Sequence, residues 1–216
     1  ISIKTGKSSN YYSQIDKNNN QIEKIITDYE KIKVDPPYMR NPNPKRYTLV
    51  LDLDETLINV EMQDPEKNKY LLHLRPGLFC FLSAIKPYYE IGTFTCASKQ
   101  YAEPIIKEIE KRNKYFDFNF YREHSVIYGN DFVKDISRIG RDIKNIIIVD
   151  NSDNNFRLNR ENGIKIKPFN GPKSKNDIVL FELKKILILI YKNDYIDLRK
   201  ALKDFAYDIK TKICCN

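Results

Sequence analysis

Residues 47–54 read Tyr-Thr-Leu-Val-Leu-Asp-Leu-Asp, a short apolar run that ends in two carboxylates. A run of this length, apolar on both faces, is what a parallel strand buried on both sides requires. Parallel strands need crossover connections, so this run commits the chain to alternating strands and helices. Further short runs at 91–95 and 146–150 are separated by segments of helical periodicity such as 76–85 and 103–111. The expected fold is therefore α/β, a central parallel sheet flanked by helices. In such sheets ligands sit beyond the carboxyl ends of the strands, so Asp52, Thr95 and Asp150 should converge on one site.

The flanks of this pattern set the domain boundaries. Residues 1–45 are expected to be an N-terminal arm, polar and Asn-rich over 1–20, followed by a short amphipathic helix at 22–33 and a stiff linker carrying Pro36, Pro37, Pro42 and Pro44. Residues 46–210 are expected to form the main domain, closing with helices at 178–191 and 195–210, and 211–216 to be a tail. There is no internal repeat. With 41% hydrophobic residues in 216, the chain is long enough to bury a core and is expected to be soluble. The most apolar stretch, 178–191, is interrupted by Glu182, Lys184 and Lys185, so no membrane span is expected. No signal-peptide pattern opens the sequence, and a nuclear or cytoplasmic location follows as the expectation. The four cysteines, Cys80, Cys96, Cys214 and Cys215, match neither a metal pattern nor a disulfide framework and read as reduced thiols. The net charge of +8 is spread along the chain rather than clustered, so no direct nucleic-acid partner is expected.

The chemistry is concentrated in Asp52-Leu-Asp54-Glu-Thr56. Two Asp residues at i and i+2 leave an extended strand on one side, and where the chain then turns, one is placed to attack and the other to move protons. A phosphate monoester is a dianion, so an attacking carboxylate needs a bridging cation, and Mg²⁺ with oxygen ligands fits that task. Asp52 with Asp150 or Asn151 is the expected ligand source. Charge on the transferred phosphoryl oxygens must be met by donors, for which Lys134 and Thr95 are the candidates. Asp54 would protonate the leaving alcohol and later activate water. Each piece alone has an ordinary reading: Asp at a strand end as a turn residue, Lys134 as a surface lysine, Asp150-Asn151-Ser152 as an Asx turn. Their order along alternating strands and helices favours the site.

These residues resemble the TFIIF-associating and small CTD phosphatases of the haloacid dehalogenase superfamily, also called NLI-interacting-factor-like phosphatases. The first motif, DLDETL, stands at 52–57, the second at 94–104 as FTCASKQYAEP, the third at 133–137 and 140–142, and the fourth at 148–152 as IVDNS. The similarity runs over about 47–202. It implies a Rossmann-like haloacid dehalogenase fold with a small β-hairpin insertion, placed within 116–132, and no large cap. It implies Asp52 as nucleophile and Asp54 as acid and base, with Thr95 and Lys134 gripping phosphate. Thr56, Cys96 and Arg122 are the expected substrate-binding residues, and the metal set is Asp52, Asp54 through its backbone carbonyl, and Asn151, with Asp150 as the carboxylate behind these ligands. The implied substrate is a phosphoserine or phosphothreonine protein, with the C-terminal tail of RNA polymerase II as the family's best-known case. A translocase-receptor type of binding module and a small-molecule phosphatase are the alternatives. Residues 61–70 read as a short charged loop where small CTD phosphatases carry a longer segment, and His124-Ser125 replaces the Ser-Cys pair found there.

Overall fold

The computed structural model describes residues 29–30, 32–42, 45–64, 69–174 and 176–214. The arm at 1–20, most of the helix expected at 22–33, Pro44 and Cys215 lie outside them.

The first apolar run forms strand β1, Tyr47–Leu51, buried along its whole length. A hairpin follows, β2 at Ile58–Asp64 and β3 at Lys69–Leu74, then helix α1 at Leu78–Ile85, strand β4 at Tyr89–Phe94 and helix α2 at Lys99–Ile109. Strand β5, Phe118–Phe120, precedes a second hairpin, β6 at Val126–Tyr128 and β7 at Asp131–Val133. Strands β8, Ile146–Asp150, and β9, Gly163–Lys165, complete the sheet, and helices α3, Val179–Lys192, and α4, Leu198–Asp204, close the chain. The main sheet has the order β5-β4-β1-β8-β9, and every pairing in it is parallel. The order turns back at β1, whose neighbours β4 and β8 lead away on opposite sides. The crevice at that switch point is where an open α/β sheet binds ligands.

Alternation along β1 divides the core. Tyr47, Leu49 and Leu51 face the helical side, packed with residues of α1, α2, α3 and α4. Val50 faces the other side, among Phe94, Phe120, Ile136, Ile148 and Phe156, where short 3₁₀ turns and Tyr38 and Met39 cover the sheet. Thr48, on that same side, donates to the buried carboxylate of Glu90, which also takes a two-pronged grip from Arg141 at 2.8 and 2.9 Å.

Three expectations are corrected. Residues 61–64 and 69–70, expected in a loop, are instead the outer ends of strands β2 and β3. Ile58, Val60 and Met62 alternate with polar residues, as do Tyr70, Leu72 and Leu74 in part, and this period of two was hidden by the charges around the tip. The stretch 118–120 within the expected insertion is an edge strand of the main sheet, so the inserted hairpin is 126–133 alone. The last helix stops at Asp204, and a short turn, Ala206–Asp208, leads into a wider one, Ile209–Cys214. That end packs on the domain, with Ile213 buried and its carbonyl accepting from the N–H of Lys167 at 3.0 Å.

Arg75, fully buried, ties the first-motif turn to the start of α3. It grips Asp177 through two hydrogen bonds of 3.1 and 2.9 Å and donates to the carbonyls of Thr56 and Lys167 at 2.9 and 2.8 Å. Replacing Arg75 by Met strands the buried Asp177 carboxylate, and the expected loss is about 3–5 kcal/mol in chemical denaturation. A loss below about 1 kcal/mol, the scale of an exposed pair, would show that the grip is ornamental.

Candidate active site

Asp52, Asp54, Glu55, Thr95, Cys96, Ala97, Asn151 and Asn155 line one open, shallow depression of about 230 Å³ at the carboxyl ends of β1, β4 and β8. The backbone brings them there. The N–H of Asp52 still pairs with Val149 at 3.0 Å, so its side chain leaves the sheet in register. The chain then folds back sharply. The carbonyl of Leu53 accepts from Thr56, Leu57 and Ile58, and Glu55 takes a left-handed φ of 58° to make that turn.

Beneath Asp52 lies Lys134, wholly buried. Its Nζ donates to Asp52 Oδ1 at 2.5 Å and to Asp150 Oδ2 at 2.6 Å. The other Asp150 oxygen accepts from the N–H of Ser152 at 2.9 Å and from Asn155 Nδ2 at 3.0 Å. Burial pushes the Asp52 carboxyl up, to about 7, and the neighbouring Asp150 adds to this against the pull of Lys134. Burial alone would lower Lys134, but Asp150 and Asp52 outweigh it and hold the ammonium protonated. A single cation thus serves two buried carboxylates, so the cluster is short of positive charge.

Asp54 is more open. The Tyr101 hydroxyl donates to its Oδ1 at 2.5 Å, and burial raises its carboxyl despite that bond, which suits a proton donor. Thr95 Oγ1 accepts from the N–H of Ala97 at 3.0 Å, which leaves the hydroxyl proton for a ligand. Asn151 donates through Nδ2 to the Glu55 carboxylate at 2.9 Å. A carboxylate only accepts, so this bond fixes the amide with its oxygen as the atom left for a cation.

The expected residues fare differently. Asp52, Asp54, Thr95 and Asn151 come together. Asp150 is fully buried and is not in the wall of the depression, so it supports Lys134 and the 152–155 turn from behind rather than reaching a metal. Thr56 is likewise fully buried, its Oγ1 accepting from the N–H of Asn151 at 3.2 Å, so it staples two loops and does not meet substrate. Cys96 lines the depression, but its thiol turns under the inserted hairpin, donating to Phe132 O at 3.5 Å. Arg122 stands one step back. Its Nε donates to Cys96 O at 2.8 Å, and its guanidinium lies 5.2 Å from the Phe132 ring centre. Residue-type reasoning missed Tyr101, Glu55 and Asn155, which stand within or beside the motifs but carried no signal of their own.

The donor set tests whether Mg²⁺ fits. Among the described residues no three His, Cys, Asp or Glu side chains converge as a metal cage. What converges is hard oxygen, from Asp52, Asp54 and the oriented Asn151 amide, at a site with unbalanced negative charge. That suits Mg²⁺, which keeps several waters and takes one or two carboxylates, and it does not suit a soft metal.

The family described as NLI interacting factor-like phosphatase matches residues 47–199. Nuclear envelope morphology protein 1 of Schizosaccharomyces pombe is 34% identical over 162 residues, covering 68% of this chain and 34% of that protein. Mitochondrial import inner membrane translocase subunit TIM50 of Candida glabrata is 31% identical over 170 residues, covering 79% of this chain and 34% of its own length. The chain thus spans about a third of these relatives. The solved structure of Fcp1, an essential RNA polymerase II CTD phosphatase, matches with a TM-score of 0.58 at 19% identity, over 78% of this chain and 68% of that one, a likeness of fold.

Proposed function

The chain belongs to the NLI interacting factor-like phosphatase family, and from that premise we propose that it is a Mg²⁺-dependent phosphatase of phosphoserine and phosphothreonine in proteins. The observation that carries the reading is Asp52, held from below by Lys134, at the floor of an open depression whose other walls supply a proton donor and hydroxyl and amide groups.

In this mechanism an Asp52 carboxylate oxygen attacks phosphorus, forming an O–P bond as the bond to the serine or threonine oxygen breaks. Asp54, oriented by Tyr101, gives its proton to the departing alkoxide. Thr95 donates to a phosphoryl oxygen, and Lys134 keeps Asp52 ionised and aimed. Asp54 then takes a proton from water as that water attacks the aspartyl-phosphate, releasing phosphate and restoring Asp52. Asp52, the Asp54 carbonyl and Asn151 would hold Mg²⁺, which would supply the positive charge that a dianionic ester needs at this cluster.

The depression is too shallow and open to enclose a metabolite, which favours a phosphorylated loop or tail of a protein. Fcp1 acts on the RNA polymerase II tail, and a phosphorylated tail of that kind is the substrate class proposed here. The apolar β2–β3 hairpin, with Met62 and Tyr70 exposed, offers a flanking surface. No helix among the described residues is long and apolar enough to cross a membrane, and the nucleus or cytosol is the proposed compartment.

The likeness to TIM50 favours a second reading, a binding module without turnover. Hydrolysis of para-nitrophenyl phosphate and of phosphoserine peptides by the purified chain decides between them. Turnover that disappears with a chelator and returns with Mg²⁺ is the expected result. A folded chain that turns over neither substrate with Mg²⁺ present would leave the binding module standing.

A further inference from the structure

Arg122 sits on a single 3₁₀ turn, Arg122–His124, between β5 and β6, and one turn of backbone restrains a side chain poorly. This turn is restrained from outside. The N–H of Val34 donates to Glu123 O at 2.8 Å, the Tyr38 hydroxyl to His124 O at 2.6 Å, and the Tyr29 hydroxyl to Ser125 O. Three successive carbonyls are thus taken by the segment that precedes β1. Residues 122–124 are only half-buried, so water would satisfy the carbonyls of Glu123 and His124 equally well. What the segment adds is fixed position.

The rings act on the same place. Tyr38 lies edge-on to Phe120 and to His124, with centroids 5.3 and 5.1 Å apart. Tyr29 lies edge-on to Phe132 at 5.3 Å, and Phe132 is the ring over which the Arg122 guanidinium rests. Arg122 is also bonded to the loop of Thr95, through its N–H to Ala97 O at 2.9 Å and its Nε to Cys96 O. On the far side, the N–H groups of Tyr38 and Met39 donate to Arg138 and Ile139 at 3.0 and 2.9 Å, in the turn that follows Lys134. The segment thus bridges the turn that carries Arg122 and the turn that follows Lys134.

We propose that Tyr29 and Tyr38 are positioning residues for Arg122, and that the segment before β1 belongs to the phosphate-binding apparatus. The proposal rests on the phosphatase reading in that Arg122 is taken to meet the phosphate. The two hydroxyls hold the C-terminal end of the Arg122 turn, and the Tyr29 ring fixes the surface on which the guanidinium lies.

Tyr29→Phe and Tyr38→Phe remove only the hydroxyls and keep the rings. In the full chain with Mg²⁺, inorganic phosphate is the probe, read as its inhibition constant against para-nitrophenyl phosphate and as calorimetric binding. The double variant is expected to bind phosphate about five- to tenfold more weakly, with kcat within about twofold of wild type. Added to Arg122→Ala, the same pair of substitutions is expected to cost nothing further, because coupled residues do not add. Thermal unfolding checks the fold, and Tyr38→Phe alone carries the test if the double variant does not fold. Unchanged phosphate affinity in the folded variants, or a loss that adds in full to that of Arg122→Ala, would overturn the clamp. A wild-type chain that neither hydrolyses the ester nor binds phosphate would overturn the phosphatase reading instead.

Discussion

Asp52→Asn is expected to abolish turnover of para-nitrophenyl phosphate and phosphopeptide alike, by on the order of 10⁴-fold or more, because the amide keeps the shape but not the nucleophile. The fold is expected to survive. Its stability should also change with pH in a defined direction. The Asp52 carboxyl is raised in the folded chain to about 7, against about 3.9 when unfolded. A group raised on folding stabilises fully below its unfolded value, and that contribution is lost as pH rises through its folded value. Between about pH 4 and pH 7 the metal-free wild type therefore loses stability that Asp52→Asn has no carboxyl to lose. Thermal melts in chelator should place the variant progressively higher relative to wild type as pH rises. An active variant would sink the mechanism, and a pH-independent difference would sink the account of the buried cluster.

How far the fold could be read depended on strand length. β1, β4 and β8 are five or six residues each, buried on both faces, and an uninterrupted apolar run marks them. β5 and β9 have three residues each, too few for any period, and are held in place by rings packed on glycines, Phe118 on Gly92 and Phe156 on Gly163. Strands β2 and β3 have the right period, but the charged residues between them obscure it in the sequence. The same physics governs the site. Asp52, Thr95 and Asn151 were legible because parallel register delivers strand ends to one edge. The roles of Thr56 and Cys96 were not, because side-chain direction past the strand is set by the turn itself, here by the left-handed Glu55 and the bonds of the inserted hairpin. Tyr101 was visible as a residue and silent as a partner of Asp54, since only the docking of α2 brings its hydroxyl there.

Lys134 is the strongest case of burial reversing an ordinary reading, and its removal should reverse the pH behaviour too. A lysine after a strand is usually solvated, yet this one is fully enclosed with both of its acidic partners. Lys134→Met keeps length and apolar packing while leaving Asp52 and Asp150 facing each other without a counter-ion. Removing one member of such a buried group is expected to cost about 3–5 kcal/mol near neutral pH. The Asp52 carboxyl should rise further, so it binds its proton in the folded state over a wider range than when unfolded. The deficit relative to wild type is then smaller where Asp52 is protonated in both chains, and it grows as pH rises through about 7, where only the wild-type carboxyl ionises. Activity should fall on the order of 10²- to 10³-fold even where the variant remains folded, since Asp52 is neither held ionised nor aimed. Asp52→Asn and Lys134→Met thus depart from wild type in opposite directions as pH rises, one gaining relative stability and the other losing it. Denaturation series on both variants at pH 5 and pH 8 would read this directly. Parallel behaviour of the two would mean that Lys134 does not act as the shared counter-ion of Asp52 and Asp150.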